Sequence, residues 1–140
     1  MRSSTAKRTR AYVDTGALIA FLDRSDTYHP LFRQLFSDPP RLLTTPLVIA
    51  EGQGWFLKRY DSQKALEFLG FIEELKVLEI IKIGAEAIRG GARFLRRFSD
   101  QELTLTDACG LWLMEEEKIS ICWSADRHLA LTGVSLAIYE

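Results

Sequence analysis

The feature that most constrains this chain is the short apolar run Ala11–Val13, which stops on Asp14 and gives way to the helix-like stretch Ala17–Leu22. A carboxylate inside an apolar run needs a partner if it is buried, because an isolated charge cannot be taken out of water cheaply. The pattern reads as a first strand ending at Asp14, with a helix starting at Thr15 or Gly16. A similar junction recurs near the end, where Ile119–Trp123 reads as a strand and Asp126 follows three residues later.

Between these two junctions the periodicity alternates. Pro30 with Leu31, Phe32, Leu35 and Phe36 marks a second helix, halted before Pro39 and Pro40. Leu42–Thr44 fits a short strand. Thr45 and Pro46 give a hydroxyl cap followed by proline at the first helical position, so a helix carries Glu51 toward Tyr60. Gly52 and Gly54 each cost that helix about 1 kcal/mol relative to alanine, and small residues there suit close approach of a neighbour. Asp61 is positioned to cap a further helix through Leu75. Val77–Ile83 reads as a strand, Ala85–Phe98 as a helix weakened at Gly90–Gly91, and Thr104–Glu117 as another. Ala125–Ala130 reads as a short helix and Val134–Ile138 as a last strand. Short strands separated by helices predict an α/β sandwich with a mostly parallel sheet.

With 140 residues, 47% hydrophobic and 26% charged, the chain suits one domain and argues against disorder. Residues 1–10 form a basic N-terminal tail and residues 11–140 the domain. No apolar run is long enough to span a bilayer, and the basic start meets Asp14 too soon for a signal peptide, so a cytoplasmic protein without a membrane role is expected. Cys109 and Cys122 lack zinc-site spacing and are expected as small buried hydrophobes. The net charge of −1 excludes a protein that coats nucleic acid through a uniformly basic surface. It leaves open a nuclease whose acidic centre cancels a basic rim.

Four acids from four elements then stand out: Asp14, Glu51, Asp107 and Asp126. In open α/β sheets, ligand sites form outside the carboxyl ends of the strands, where Asp14 and Asp126 are expected. Converging carboxylates repel one another unless divalent cations compensate, and an all-oxygen donor set suits Mg²⁺ or Mn²⁺ rather than zinc or copper. Such a site implies metal-assisted phosphodiester hydrolysis. Structural readings stand beside this one. Thr104 and Asp107 match a T-x-x-D capping pattern, Glu51 fits a solvated helix face, and Asp126 fits a turn cap. Asp23, Asp26, Asp38 and Asp61 fall where surface or cap positions are expected. Asp14–Ala17 also spells the D-T-G-A of retroviral-type aspartic proteases, but those are nearly all β, whereas the residues after Asp14 look helical.

The stretches YVDTGALIAFLDRSDTYHP, TTPLVIAE, LTLTDACG and CWSADRHL, in this order across roughly residues 11–138, resemble PIN-domain ribonucleases of the VapC toxin type. The resemblance implies a PIN-like three-layer α/β/α sandwich. It makes Asp14 the first-strand metal ligand, Glu51 the helix glutamate that completes or orients the site, and Asp107 and Asp126 the third and fourth acids. Thr15 and Ser124 become hydroxyl neighbours of the centre, with helix capping as their alternative. His29 is implied to be structural or at the substrate rim. Family members often carry serine where this chain has Gly16. The implied activity is Mg²⁺-dependent (or Mn²⁺-dependent) hydrolysis of single-stranded or loop RNA, leaving a 5′-phosphate and a 3′-hydroxyl. Arg89, Arg93, Arg96 and Arg97 are candidates for gripping backbone phosphates. A homodimer neutralised by a small antitoxin protein is implied, with Trp55, Phe56 and Tyr60 as candidate contact residues. Two other roles fit the same resemblance: a housekeeping RNA-processing nuclease, and a non-enzymatic PIN-fold binding protein.

Overall fold

Strand β1 spans Arg10–Val13, and the chain turns at Asp14 directly into helix α1 (Thr15–Leu22). In the computed structural model, which describes residues 9–139, helix α2 (His29–Leu35) then leads to strand β2 (Arg41–Thr44). Helices α3 (Pro46–Arg59) and α4 (Ser62–Glu74) precede strand β3 (Leu78–Ile80). Helices α5 (Ala85–Arg97) and α6 (Leu105–Glu117) return the chain to strand β4 (Ile121–Trp123). A 3-10 helix (Arg127–Ala130), strand β5 (Ser135–Leu136) and a last 3-10 turn (Ala137–Tyr139) complete the described residues.

The sheet order is β3-β2-β1-β4-β5, and every pairing is parallel. The helices pack in two sets: α1 with α2 and α3, and α3 with α4, against α5 with α6. The crossovers to β2 and β3 move one way from β1 and the crossover to β4 moves back past it, so right-handed connections put the two sets on opposite faces. The result is a three-layer α/β/α sandwich. Its core joins the fully buried Tyr12, Phe32, Phe56, Phe68 and Leu111 to the interior of the sheet.

Close helix contacts explain several glycines. A Cβ on Gly52 would overlap the Phe68 ring, and one on Gly90 would overlap the Trp112 indole. Gly90 and Gly91, costly for an isolated helix, let α5 seat against α6. Gly54 meets nothing within 4 Å and has no such role. Cys109 and Cys122 are free thiols, both buried, as expected of small apolar side chains.

The structure corrects several expected boundaries. The strand expected over Val77–Ile83 is only Leu78–Ile80, because it is an edge strand whose one partner among the described residues, β2, ends where Thr45 caps α3. Ile119 lies in the turn that closes α6 rather than in β4. Lys118 adopts the left-handed conformation (φ 57°), and the Ile119 N–H closes on the Met114 carbonyl. The helix expected over Ala125–Ala130 is a 3-10 turn beginning at Arg127, and the strand over Val134–Ile138 shrinks to the two residues that pair with Ile121 and Cys122. Of the basic tail, residues 1–8 lie outside the described residues. Arg10 is part of β1, where its guanidinium pairs with Glu117 at 3.0 Å.

Candidate metal centre

The strand order reverses direction at β1 and β4, and the carboxyl ends of these neighbours define the crevice where parallel sheets place ligands. Asp14 follows β1 immediately, and its backbone N–H donates to the Trp123 carbonyl at the end of β4 (3.1 Å). Ser124, the next residue of the neighbouring strand, donates its hydroxyl to Asp14 Oδ2 at 2.9 Å. The same Ser124 oxygen accepts from the Asp126 N–H at 2.9 Å, so one buried hydroxyl ties the first acid to the loop bearing the fourth.

Two more acids come from opposite helical layers. Thr45 caps α3 by accepting from Val48 N–H, which sets Glu51 in the second turn, where Thr15 Oγ1 donates to its carboxylate. Thr104 caps α6 by accepting from Asp107 N–H at 3.1 Å. This confirms the capping pattern without removing Asp107 from the crevice. One cavity of about 470 Å³ is lined by Asp14, Glu51, Asp107 and Asp126 together with Thr15, Ser124 and Trp55. Among the described residues, no lysine or arginine lines it.

Burial and crowded carboxylates set the electrostatics. Burial, and then the neighbouring Asp107 charge, push the Asp14 carboxyl from its ordinary 3.8 up to about 7, although the Ser124 hydroxyl works in the opposite direction. Asp107 is raised by burial and by Asp126, with Thr104 opposing. Both shifts reflect burial first and the neighbouring carboxylates second.

Sequence reasoning missed His128. Its ring Nδ1 lies 3.2 Å from Asp126 Oδ1 and 4.0 Å from Asp107 Oδ2. Among the described residues, Asp107, Asp126 and His128 can each offer a donor atom within 4.8 Å of the others. Asp14 and Glu51 lie outside that tight trio but share the 470 Å³ cavity with Asp107 and Asp126, while His128 lies beside it. The signal was present in Asp126-Arg127-His128: Asp126 Oδ1 caps the 3-10 turn through His128 N–H (2.9 Å), which folds the imidazole back toward the acid. The donor set is thus oxygen-rich with one nitrogen, which suits Mn²⁺ and tolerates Mg²⁺.

The PIN-domain family profile matches residues 11–134. The chain belongs to the PIN-domain family. Among solved structures it is similar to the Mycobacterium tuberculosis VapC20 toxin, described as cleaving the sarcin–ricin loop, with a TM-score of 0.81 and 20% identity over 89% of this chain and 95% of that one. It is also similar to a toxin–antitoxin complex from Klebsiella pneumoniae (TM-score 0.61, 15% identity, 91% and 95% covered). A third is VapBC2 from Rickettsia felis bound to a promoter DNA fragment (TM-score 0.62, 14% identity, 91% and 97% covered). At these identities the likeness speaks for the fold. No curated protein matches significantly.

The remaining candidates of this PIN domain divide by position. Arg89, Arg93, Arg96 and Arg97 are exposed on α5, and among the described residues none forms an ion pair. Arg96 and Arg97 occupy the helix end that leads through residues 98–104 to Asp107, whereas Arg89 lies about two turns back. His29 Nδ1 bonds the Ala20 carbonyl at 2.7 Å and links α2 to α1, a structural position. Phe56 is fully buried against Phe68 and is not a surface contact residue. Asp23, expected at a surface or cap position, is the C-cap of α1; it is buried there and accepts from Ser25 and from the Tyr60 hydroxyl (2.9 Å). No helix among the described residues is long and apolar enough to cross a membrane.

Proposed function

We propose that this PIN-domain chain is a divalent-metal-dependent endoribonuclease and the toxin of a toxin–antitoxin pair. The observation that carries the reading is the convergence of Asp14, Glu51, Asp107 and Asp126 on one cavity that no lysine or arginine among the described residues lines. The raised Asp14 and Asp107 carboxyls support it, because a bound cation offsets both the burial and the neighbouring charge that raise them.

Asp107, Asp126 and Asp14 are the residues assigned to hold Mg²⁺ or Mn²⁺, with Glu51 completing or orienting the site and His128 beside it. A divalent cation supplies charge stabilisation for the phosphoryl and leaving oxygens and acidifies water. The chain's own contribution is positioning. Ser124 orients Asp14, and Thr15 fixes the Glu51 carboxylate. In the reaction a water oxygen bonds to phosphorus, the bond from phosphorus to the 3′-oxygen breaks, and the water's protons pass to solvent and to that oxygen. The products are a 5′-phosphate and a 3′-hydroxyl.

The substrate assigned is single-stranded or loop RNA, whose unstacked bases can be read individually. The toxin described as cutting the sarcin–ricin loop has this fold, and so do the toxin–antitoxin complexes, which favours the toxin role over housekeeping RNA processing or non-enzymatic binding. The exposed arginines of α5 are assigned to backbone phosphates. A small antitoxin partner, a homodimer and a cytoplasmic setting complete the proposal.

The test is incubation of the purified protein with a mixed RNA pool and Mg²⁺ or Mn²⁺, beside EDTA and Asp107→Asn controls. Cleavage should vanish in both controls, and cleavage surviving either would refute the mechanism. Growth arrest on expression, relieved by the protein encoded next to this gene, separates a toxin from an RNA-processing enzyme.

A further inference from the structure

Beside the acidic cavity lies a second one, of about 570 Å³, inside the range of roughly 300–1,000 Å³ typical of small-ligand sites. Its walls include Gln101, Arg127, His128, Leu131, Leu136 and Tyr139. His128 connects the two: its Nδ1 lies 3.2 Å from Asp126, and the same side chain lines the second cavity. Whatever occupies the second space therefore lies next to whatever reacts in the first.

The lining is chemically mixed in an informative way. Leu131 and Leu136 give an apolar floor. Tyr139 is 74% exposed and makes no ring contact among the described residues, so its aromatic face is open. Arg127 is exposed and has no carboxylate partner among the described residues. Gln101 offers both an amide donor and a carbonyl acceptor. Neither core packing nor ion pairing accounts for Tyr139 and Arg127. An aromatic plane, a cation, an amide and an apolar floor together match a nucleotide: the ring stacks a base, the amide reads its edge, and the guanidinium takes a phosphate.

We propose that this second cavity binds one unstacked base of the RNA, flanking the scissile phosphate, and so sets sequence preference. Tyr139 stacks the base, Gln101 reads its edge and Arg127 holds the adjoining phosphate. This rests on the ribonuclease reading, and the experiment keeps the two apart.

Wild type, Tyr139→Ala, Tyr139→Phe and Gln101→Ala are incubated with a hairpin RNA pool of randomised loops, and the cut ends are sequenced. Wild type should show a base preference at one position beside the cut. Tyr139→Ala should raise KM about tenfold, the scale on which loss of one base–aromatic stack acts, with kcat and thermal midpoint unchanged. Tyr139→Phe should keep the wild-type KM, and Gln101→Ala should flatten the preference. Cleavage by Tyr139→Ala with wild-type KM and preference overturns the subsite and leaves the ribonuclease reading intact. A wild type that cuts no RNA refutes the ribonuclease reading instead. The cavity is then judged by NMR titration with the four nucleoside 5′-monophosphates. Shifts of the Tyr139 ring that reach saturation support the subsite, and their absence overturns it.

Discussion

Trp123 touches two regions built on opposite principles. Its side chain belongs to an aromatic cluster, edge-on to Phe36 at 4.9 Å, and Phe36 in turn meets Phe21 and Phe71, which stack at 4.8 Å. Its carbonyl accepts from Asp14, the first residue of the acidic crevice. In the cluster, burial, shape and ring geometry all favour the folded state. In the crevice, burial works against the charged form of Asp14, and Asp107 makes it worse. A fold tolerates such local conflict where the surrounding structure enforces it, and these are the places where ligand chemistry is found.

Two substitutions should pull the regions apart. Asp14→Asn should reduce RNA cleavage by about a thousandfold, the upper scale for removing one charge-stabilising group. At pH 8 it should leave the metal-free fold as stable or more so, because it removes a buried charge while keeping the side-chain shape. Phe36→Ala should do the reverse. Deleting a buried ring typically costs about 3–5 kcal/mol, so its urea midpoint should fall sharply while the folded fraction keeps its affinity for Mn²⁺. Equal losses of stability in both variants would dissolve the distinction.

Legibility in the sequence followed the same division. The caps at Thr45, Asp61 and Thr104 depend on neighbours three residues away, and all three form as read. That Asp14, Glu51, Asp107 and Asp126 come together in one cavity was legible because each stands out from apolar surroundings or a cap pattern. His128 was not, since its approach to Asp126 depends on a 3-10 turn without apolar periodicity. The extents of β3 and β5 were also hidden, because an edge strand lasts only as long as its partner. For Phe56 a signal existed: Val48, Gly52 and Phe56 recur at i, i+4 and i+8, and these are the buried residues of α3.

A third effect turns on pH. With Asp14 at about 7 in the fold and 3.8 ordinarily, the folded state binds the extra proton between those values. This contribution to stability is fully present below about pH 4 and is lost as pH rises through 7, at a slope of up to about 1.4 kcal/mol per pH unit. Urea midpoints in EDTA should therefore decline across that window relative to Asp14→Asn, and Mg²⁺ should restore part of the loss at pH 7.5 by binding only the folded state. Parallel wild-type and Asp14→Asn curves would show that the crevice carries no uncompensated charge.

The smallest effect sharpens the boundary between the regions. Ser124 is buried like its neighbour Trp123, yet its hydroxyl serves Asp14 and the Asp126 loop rather than the core. Ser124→Ala removes a donor that favours ionised Asp14 and an acceptor for Asp126 N–H, without changing the packed volume appreciably. Groups that orient metal ligands typically change metal affinity about 10–100-fold when removed, and the lower end is expected here because Asp107 and Asp126 keep their other contacts. Calorimetric titration with Mn²⁺ reads this directly, with the thermal midpoint as control. If affinity stays constant while the midpoint falls, Ser124 belongs to the core, and the crevice begins at Asp14 itself.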